Sequence, residues 1–177
     1  MIKIGQRPAT IDTPLEHLTA CHRRIEERLA TLERAGEVLE SVVESKRAEA
    51  REAIASALRF LDSSGVMHTR DEEGSLFPRL NPRLDAAERE YVERLECQHR
   101  EVDEVYAELK SAVAENDAAR YRSAVARLAR LYREHIGSED EILTGLARRC
   151  LSAADLEAIA AEMRERRQRR HAVDARL

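Results

Sequence analysis

Four stretches of this chain carry an apolar seam that steps by three and four residues, and each seam is broken by a histidine. The first runs Leu15, Leu18, His22, Ile25, Leu29, Leu32. The second runs Ile54, Leu58, Leu61, Gly65, His68, Glu72, Leu76, and the third Val92, Leu95, His99, Val102, Tyr106, Leu109, Val113. The fourth runs Tyr121, Val125, Leu128, Tyr132, His135, Glu139, Ile142, Leu146. That period is the inward stripe of a bundle helix. Six Gly, four Pro, no Trp and 3% aromatics leave a core of Leu, Ile, Val and Ala, which favours close helix packing over a sheet.

The expected architecture is therefore all-α: an up-down-up-down four-helix bundle with a short N-terminal arm and an additional C-terminal helix. Residues 1–12 are expected as the arm, 13–150 as the bundle, and 151–177 as the C-terminal helix and basic tail. The first helix starts at Thr13-Pro14, with Thr13 as cap, and runs into the low forties through Val42 and Val43, with Gly36 as a possible bend. The second runs from near Ser45 to Leu80, with a kink at residues 63–65. The turn 81–85 leads to a third helix over 86–115, and Asn116-Asp117 breaks the chain before a fourth reaching Cys150. Ser152 and Asp155 cap a fifth that ends near His171.

In such a bundle, residues equally far from a shared turn lie at equal height. His22 and His68 are each about 23 residues from a turn near residue 45, or about 34 Å along the helix. His68 and His99 flank the next turn at about 15 and 16 residues, and His99 and His135 flank the last at about 18. All four imidazoles fall at one level, joined by Glu72 and Glu139. Burying two carboxylates among four imidazoles without compensation is costly. A metal removes the difficulty. Imidazole suits iron, zinc, copper or nickel, and an i, i+4 His/Glu pair puts both donors on one helix face. Six donors exceed what one tetrahedral zinc uses, so the pattern points to two metals close together.

The order His22, His68-x-x-x-Glu72, His99, His135-x-x-x-Glu139 resembles the hemerythrin-like "HHE cation-binding" family. The strings PLEHLTACHRRIEERL, HTRDEEGSLFPRL, LECQHREVDEVYAEL and YREHIGSEDEIL are similar to its four ligand-bearing helices, over residues 13 to about 165. The resemblance implies two Fe ions in an oxo- or hydroxo-bridged di-iron centre, with zinc or another divalent metal as the other candidates. It also implies that His22, His68, His99 and His135 are terminal ligands and that Glu72 and Glu139 bridge. Oxygen-carrying members have a fifth histidine one turn after the third-helix histidine. Asp103 stands there instead, which implies a two-and-two division of histidines. That count is similar to di-iron proteins of nitrosative stress and iron–sulfur cluster repair, whose cysteine-bearing N-terminal segment has no counterpart in the short arm.

The function expected from the resemblance is binding or sensing of O2, NO or peroxide in iron or redox homeostasis, without catalysis. The alternatives are a peroxide- or NO-consuming di-iron oxidoreductase and a structural metal-binding bundle. Glu26 and Asp103, each one turn after a site histidine, are read as hydrogen-bond partners or solvated flank charges, with direct ligation as the other reading. Glu73, Asp140, His17 and His171 are expected at the surface, Tyr132 in the core or hydrogen-bonded to a metal-bound ligand, and Cys21 and Cys97 as buried structural thiols. The run RERRQRRH, residues 164–171, reads as a solvated tail and not as a nucleic-acid site, because no aromatics interleave it and the net charge is −4. Three cysteines make no disulfide framework, no apolar run spans a bilayer, and the opening MIKIGQRPATIDTP has no signal-peptide core. A cytoplasmic location, with no membrane and no nucleic-acid partner, is the corresponding expectation.

Overall fold

A computed structural model describes residues 10–174, whose regular structure is all helical, with no strand among them. Most of the arm, and the His171 side chain, lie outside the described residues. Helix α1 spans Pro14–Val38, with Pro14 at its first position, where a missing N–H costs nothing. Thr13 precedes it but makes no side-chain cap; its hydroxyl donates to Thr10 O instead. Contrary to the expected extension, α1 stops at Val38. The link that follows leaves Val42 fully in solvent, and the Ser41 hydroxyl accepts from Val43 N at 3.2 Å. β-Branched Val42 and Val43 contribute little to holding a last helical turn.

Helix α2 occupies residues 44–80 as one continuous rod. Helical Glu44–Phe60, Val66–Asp71 and Phe77–Leu80 are separated by two π turns, Leu61–Gly65 and Glu72–Leu76. The kink expected at 63–65 is thus an inserted residue and not a glycine conformation, since Gly65 keeps helical angles (φ −62°, ψ −55°). Helix α3, Ala86–Ala114, opens on a reciprocal capping box between Asp85 and Glu88. It closes before Asn116, whose φ of 55° is the left-handed conformation Asn tolerates. Helix α4, residues 118–150, is capped by Asp117 and carries a third π turn, Glu139–Leu143. Helix α5, Ala153–Asp174, follows a Ser152/Asp155 capping pair.

Helix α1 packs on α2 and α4, and α3 on α4. The apolar interior divides into two clusters. One gathers Ile25, Leu29, Leu32, Ile54, Leu61, Leu109 and Leu128. The other gathers Leu15, Leu18, Leu76, Phe77, Leu80, Val92, Leu95 and Leu146, and α5 adds Ile159 and Met163. Along every long helix the break between clusters falls where the seam carries its histidine. The π turn in α4 also shifts the seam by one residue, so that Ile142, expected inside, is 43% exposed and Leu143 takes its place.

The basic run of α5 is not a free tail. Asp71, fully buried on α2, receives Arg166 Nε at 2.8 Å and Arg167 Nη2 at 2.7 Å. Arg166 also donates to Ser75 Oγ, which donates to Glu162, and Arg170 donates to Ser63 O. Arg167 reaches back to His17 Nε2 at 3.2 Å, so His17 is half-buried and not the surface residue expected.

Candidate metal centre

Each site side chain stands on a long helix: His22 on α1, His68 and Glu72 on α2, His99 on α3, His135 and Glu139 on α4. All six are buried, at 6% exposure or less. They form two overlapping groups, His22–His68–Glu72–Glu139 and Glu72–His99–His135–Glu139, within which the donor atoms all lie inside 4.8 Å of one another. The imidazoles meet in pairs, His22 Nε2 to His68 Nε2 and His99 Nε2 to His135 Nε2, each at 3.1 Å. Both glutamates belong to both groups. Glu72 Oε1 is 3.2 Å from His68 Nε2, while its Oε2 is 3.4 Å from His99 Nε2. Glu139 Oε2 is 3.0 Å from His22 Nε2, while its Oε1 is 3.4 Å from His135 Nε2.

Each glutamate opens a π turn, Glu72–Leu76 on α2 and Glu139–Leu143 on α4. Such turns loosen the backbone ladder and re-aim a side chain, and they concentrate at functional sites. Phe77 stacks on the His99 ring with planes 9° apart, closing the apolar wall beneath the site.

The electrostatics are those of a site built for cations. Burial and the Glu139 charge push Glu72 up to about 8. Burial pushes Glu139 up as well, but His22, with Nε2 3.0 Å from Glu139 Oε2, and the other imidazoles outweigh it and hold that carboxyl low. Burial pulls His22 and His99 down, yet the surrounding carboxylates overcome this and raise both to about 9. His68 falls well below its usual value through burial and the neighbouring imidazoles, and His135 falls to about 4, burial again leading. All four carboxylate oxygens of Glu72 and Glu139 are buried without a hydrogen-bond partner. Bare carboxylate oxygens in a dry interior are expensive, and cations among four imidazoles would satisfy them. The donor set fits two metal ions.

The partners of the imidazoles differ from those expected. Asp140 Oδ1 lies 2.9 Å from His22 Nδ1, Glu73 Oε1 2.8 Å from His99 Nδ1, and Gln98 Oε1 3.0 Å from His135 Nδ1. Glu73 and Asp140 are 42% and 44% exposed, so the flank position was right, but each reaches inward to a histidine of another helix. Glu26 and Asp103 are exposed and bond no site histidine among the described residues. The signal available was the repeated Glu-acid doublet, Glu72-Glu73 and Glu139-Asp140. Gln98 had none beyond preceding His99. Tyr132 packs against the apolar cluster containing Cys21. Cys21 is buried as expected, whereas Cys97 is exposed and accepts from Arg100 at 3.0 Å.

A helical bundle whose interior is divided by a belt of imidazoles and carboxylates defines a metal-binding helical protein. The hemerythrin HHE cation-binding domain model matches residues 13–147, and the chain belongs to that family. No curated protein matches it. Helix α5 lies beyond the matched segment. None of the described helices is long and apolar enough to cross a membrane.

Proposed function

We propose that this protein is a di-iron protein of the hemerythrin type that binds or senses O2, NO or peroxide in iron or redox homeostasis. In this reading the four long helices form an up-down-up-down bundle, with α5 as an added C-terminal helix. His22, His68, His99 and His135 would be the terminal ligands, and Glu72 and Glu139 the bridges. The observation that carries it is the division of oxygens: each glutamate offers one to each histidine pair. Six mixed nitrogen and oxygen donors favour iron over a single closed zinc site. Two irons so held would supply the open coordination and redox chemistry that a small ligand meets.

The chain's own part is to position and to exclude. Asp140, Glu73 and Gln98 fix the tautomers of His22, His99 and His135 by accepting from Nδ1, which leaves Nε2 free to coordinate. The apolar clusters on either side keep bulk water out. A cavity of about 10 Å³, room for one water-sized molecule, touches His22, Glu72 and Glu139 and is walled by Leu15, Leu18 and Leu143. A space that small leaves no room for an organic substrate.

Anaerobic Fe(II) reconstitution tests the reading. About two irons per chain are expected, with near-ultraviolet charge-transfer absorption after oxidation. Fewer than one metal per chain refutes it. Sustained turnover of peroxide or NO, lost in Glu72→Ala, would move the protein to the oxidoreductases.

A further inference from the structure

Helix α5 reaches the centre through the backbone of α2. The π turn Glu72–Leu76 interrupts the regular α-helical ladder where it opens on Glu72, so part of what keeps its shape must come from outside α2. Helix α5 packs on this turn and on Val66–Asp71 before it. Arg166 grips the chain on both sides of Glu72. Its Nε donates to Asp71 at 2.8 Å, one residue earlier, and its Nη2 to Ser75 Oγ at 2.6 Å, three residues later. Arg167 Nη2 adds a 2.7 Å bond to Asp71, and Glu162 accepts from Ser75. Gly74 makes room for the guanidinium, since a Cβ there would stand 3.3 Å from Arg166 Nη1. Asp71 and Ser75 are fully buried, so solvent does not compete for these bonds.

A clasp of this kind is a poor source of stability. A buried carboxylate gives up its hydration, and well-packed apolar residues of similar volume often do as well or better. What such a network supplies is one geometry, because its donors and acceptors fit in a single arrangement. Helix α5 has an apolar anchor besides: Ile159 and Met163, fully buried, join the cluster of Leu76, Phe77 and Leu80. The buried part of the clasp falls instead at the turn of α2 that aims a site carboxylate. The matching turn at Glu139 is steadied from within the bundle, where Tyr91 donates to Ser138 O at 2.8 Å.

Resting on the reading above that Glu72 holds metal, we propose that α5 is a brace that sets the aim of Glu72, and that metal occupancy and α5 docking are coupled. Arg166 is the positioning residue, acting through Asp71 and Ser75 on the turn between them. Coupling of this sort is reciprocal. A docked α5 tightens metal binding, and bound metal tightens the hold on α5 by the same factor. Whatever lifts α5 from α2 therefore loosens the metal.

Titration of the full-length, metal-stripped protein with Co(II) under argon measures affinity, and hydrogen exchange with and without Co(II) measures docking. In the unaltered protein Co(II) should slow exchange in α5 as well as in the site helices. Arg166→Ala should bind Co(II) about fivefold or more weakly, and Co(II) should no longer protect its α5. Arg166→Lys keeps a cation beside Asp71 and should recover part of the affinity. Gly36→Ala, which strains the other apolar cluster against Tyr121, is the control for destabilisation alone and should leave Co(II) affinity unchanged. Exchange in the unaltered α5 that ignores bound Co(II) would overturn the proposal, whether or not the variants fold. So would Co(II) affinity in Arg166→Ala equal to that of the unaltered protein, or a loss no larger than in Gly36→Ala. A total below one ion per chain in the unaltered protein would instead refute the reading of Glu72 as a ligand, and the inference with it.

Discussion

Glu72 and Glu139 turn toward each other from α2 and α4, and each divides its carboxylate between the two histidine pairs. Without a cation this arrangement is held at a cost, since burial and the Glu139 charge raise Glu72 to about 8. Glu72→Gln should therefore stabilise the metal-stripped protein by about 1–3 kcal/mol, roughly 3–10 °C in Tm. The same variant should lose most of the stabilisation that metal confers. Thermal melts of the parent and of Glu72→Gln, with and without Fe(II), measure the crossing; a metal-stripped Glu72→Gln protein less stable than its parent would contradict it.

Metal uptake should tighten as pH rises toward 9. His22 and His99, raised to about 9, and Glu72, raised to about 8, hold protons at pH 7 that coordination must displace. Affinity is then weakened throughout the range below these values and levels off above them. Calorimetry in two buffers of different ionisation enthalpy counts the protons released, and more than one per chain is expected at pH 7.

Asp71, one residue before Glu72, is fully buried between Arg166 and Arg167. The arginines keep 22% and 24% of their side chains in solvent, which moderates the penalty of stranding them. Asp71→Asn should cost about 2–3 kcal/mol. Urea denaturation gives the magnitude. Hydrogen exchange should show faster opening across residues 71–76 and α5 together, because the clasp joins them.

Gly36 lets the Tyr121 ring lie against α1. A Cβ there would stand 3.0 Å from Tyr121 Cε1, and that ring is pinned by its hydroxyl donating to Leu32 O at 2.9 Å. Alanine would gain up to about 1 kcal/mol of helix propensity and lose about 1–3 kcal/mol to overpacking. Net destabilisation is expected in Gly36→Ala, measured by chemical denaturation.

The cysteines should separate by reactivity. Burial pushes the Cys21 thiol up to about 11, whereas Cys97 is exposed. A chromogenic disulfide reagent should label Cys97 rapidly in the folded protein and Cys21 only after unfolding.

The helices and the level of the six site residues were legible because burial imposes a period, and a histidine on that period stands out. Helix ends marked by specific chemistry, such as Asp85 with Glu88, were equally readable. What escaped was whatever a regular α-helix does not encode. The π turn at Glu139–Leu143 exchanged Ile142 for Leu143, and no pattern of apolar residues announces such an insertion. Asp140 and Glu73 escaped for a related reason. A helical wheel places them on the flank, but it says nothing of the neighbouring helix that brings His22 or His99 within reach. Arg166 and Arg167 looked like solvent charges because their partner, Asp71, lies some 95 residues earlier.

The π turns that begin at Glu72 and Glu139 also make the chain intolerant of miscounting. Each residue of an α-helix advances the rotation by about 100°. Deleting one residue between Glu72 and Phe77 would restore an unbroken helix and swing Phe77 and Leu80, both now fully buried, toward the flank. The glutamates thus sit where one surplus residue keeps two registers, the histidine–glutamate belt and the apolar floor below it, in phase.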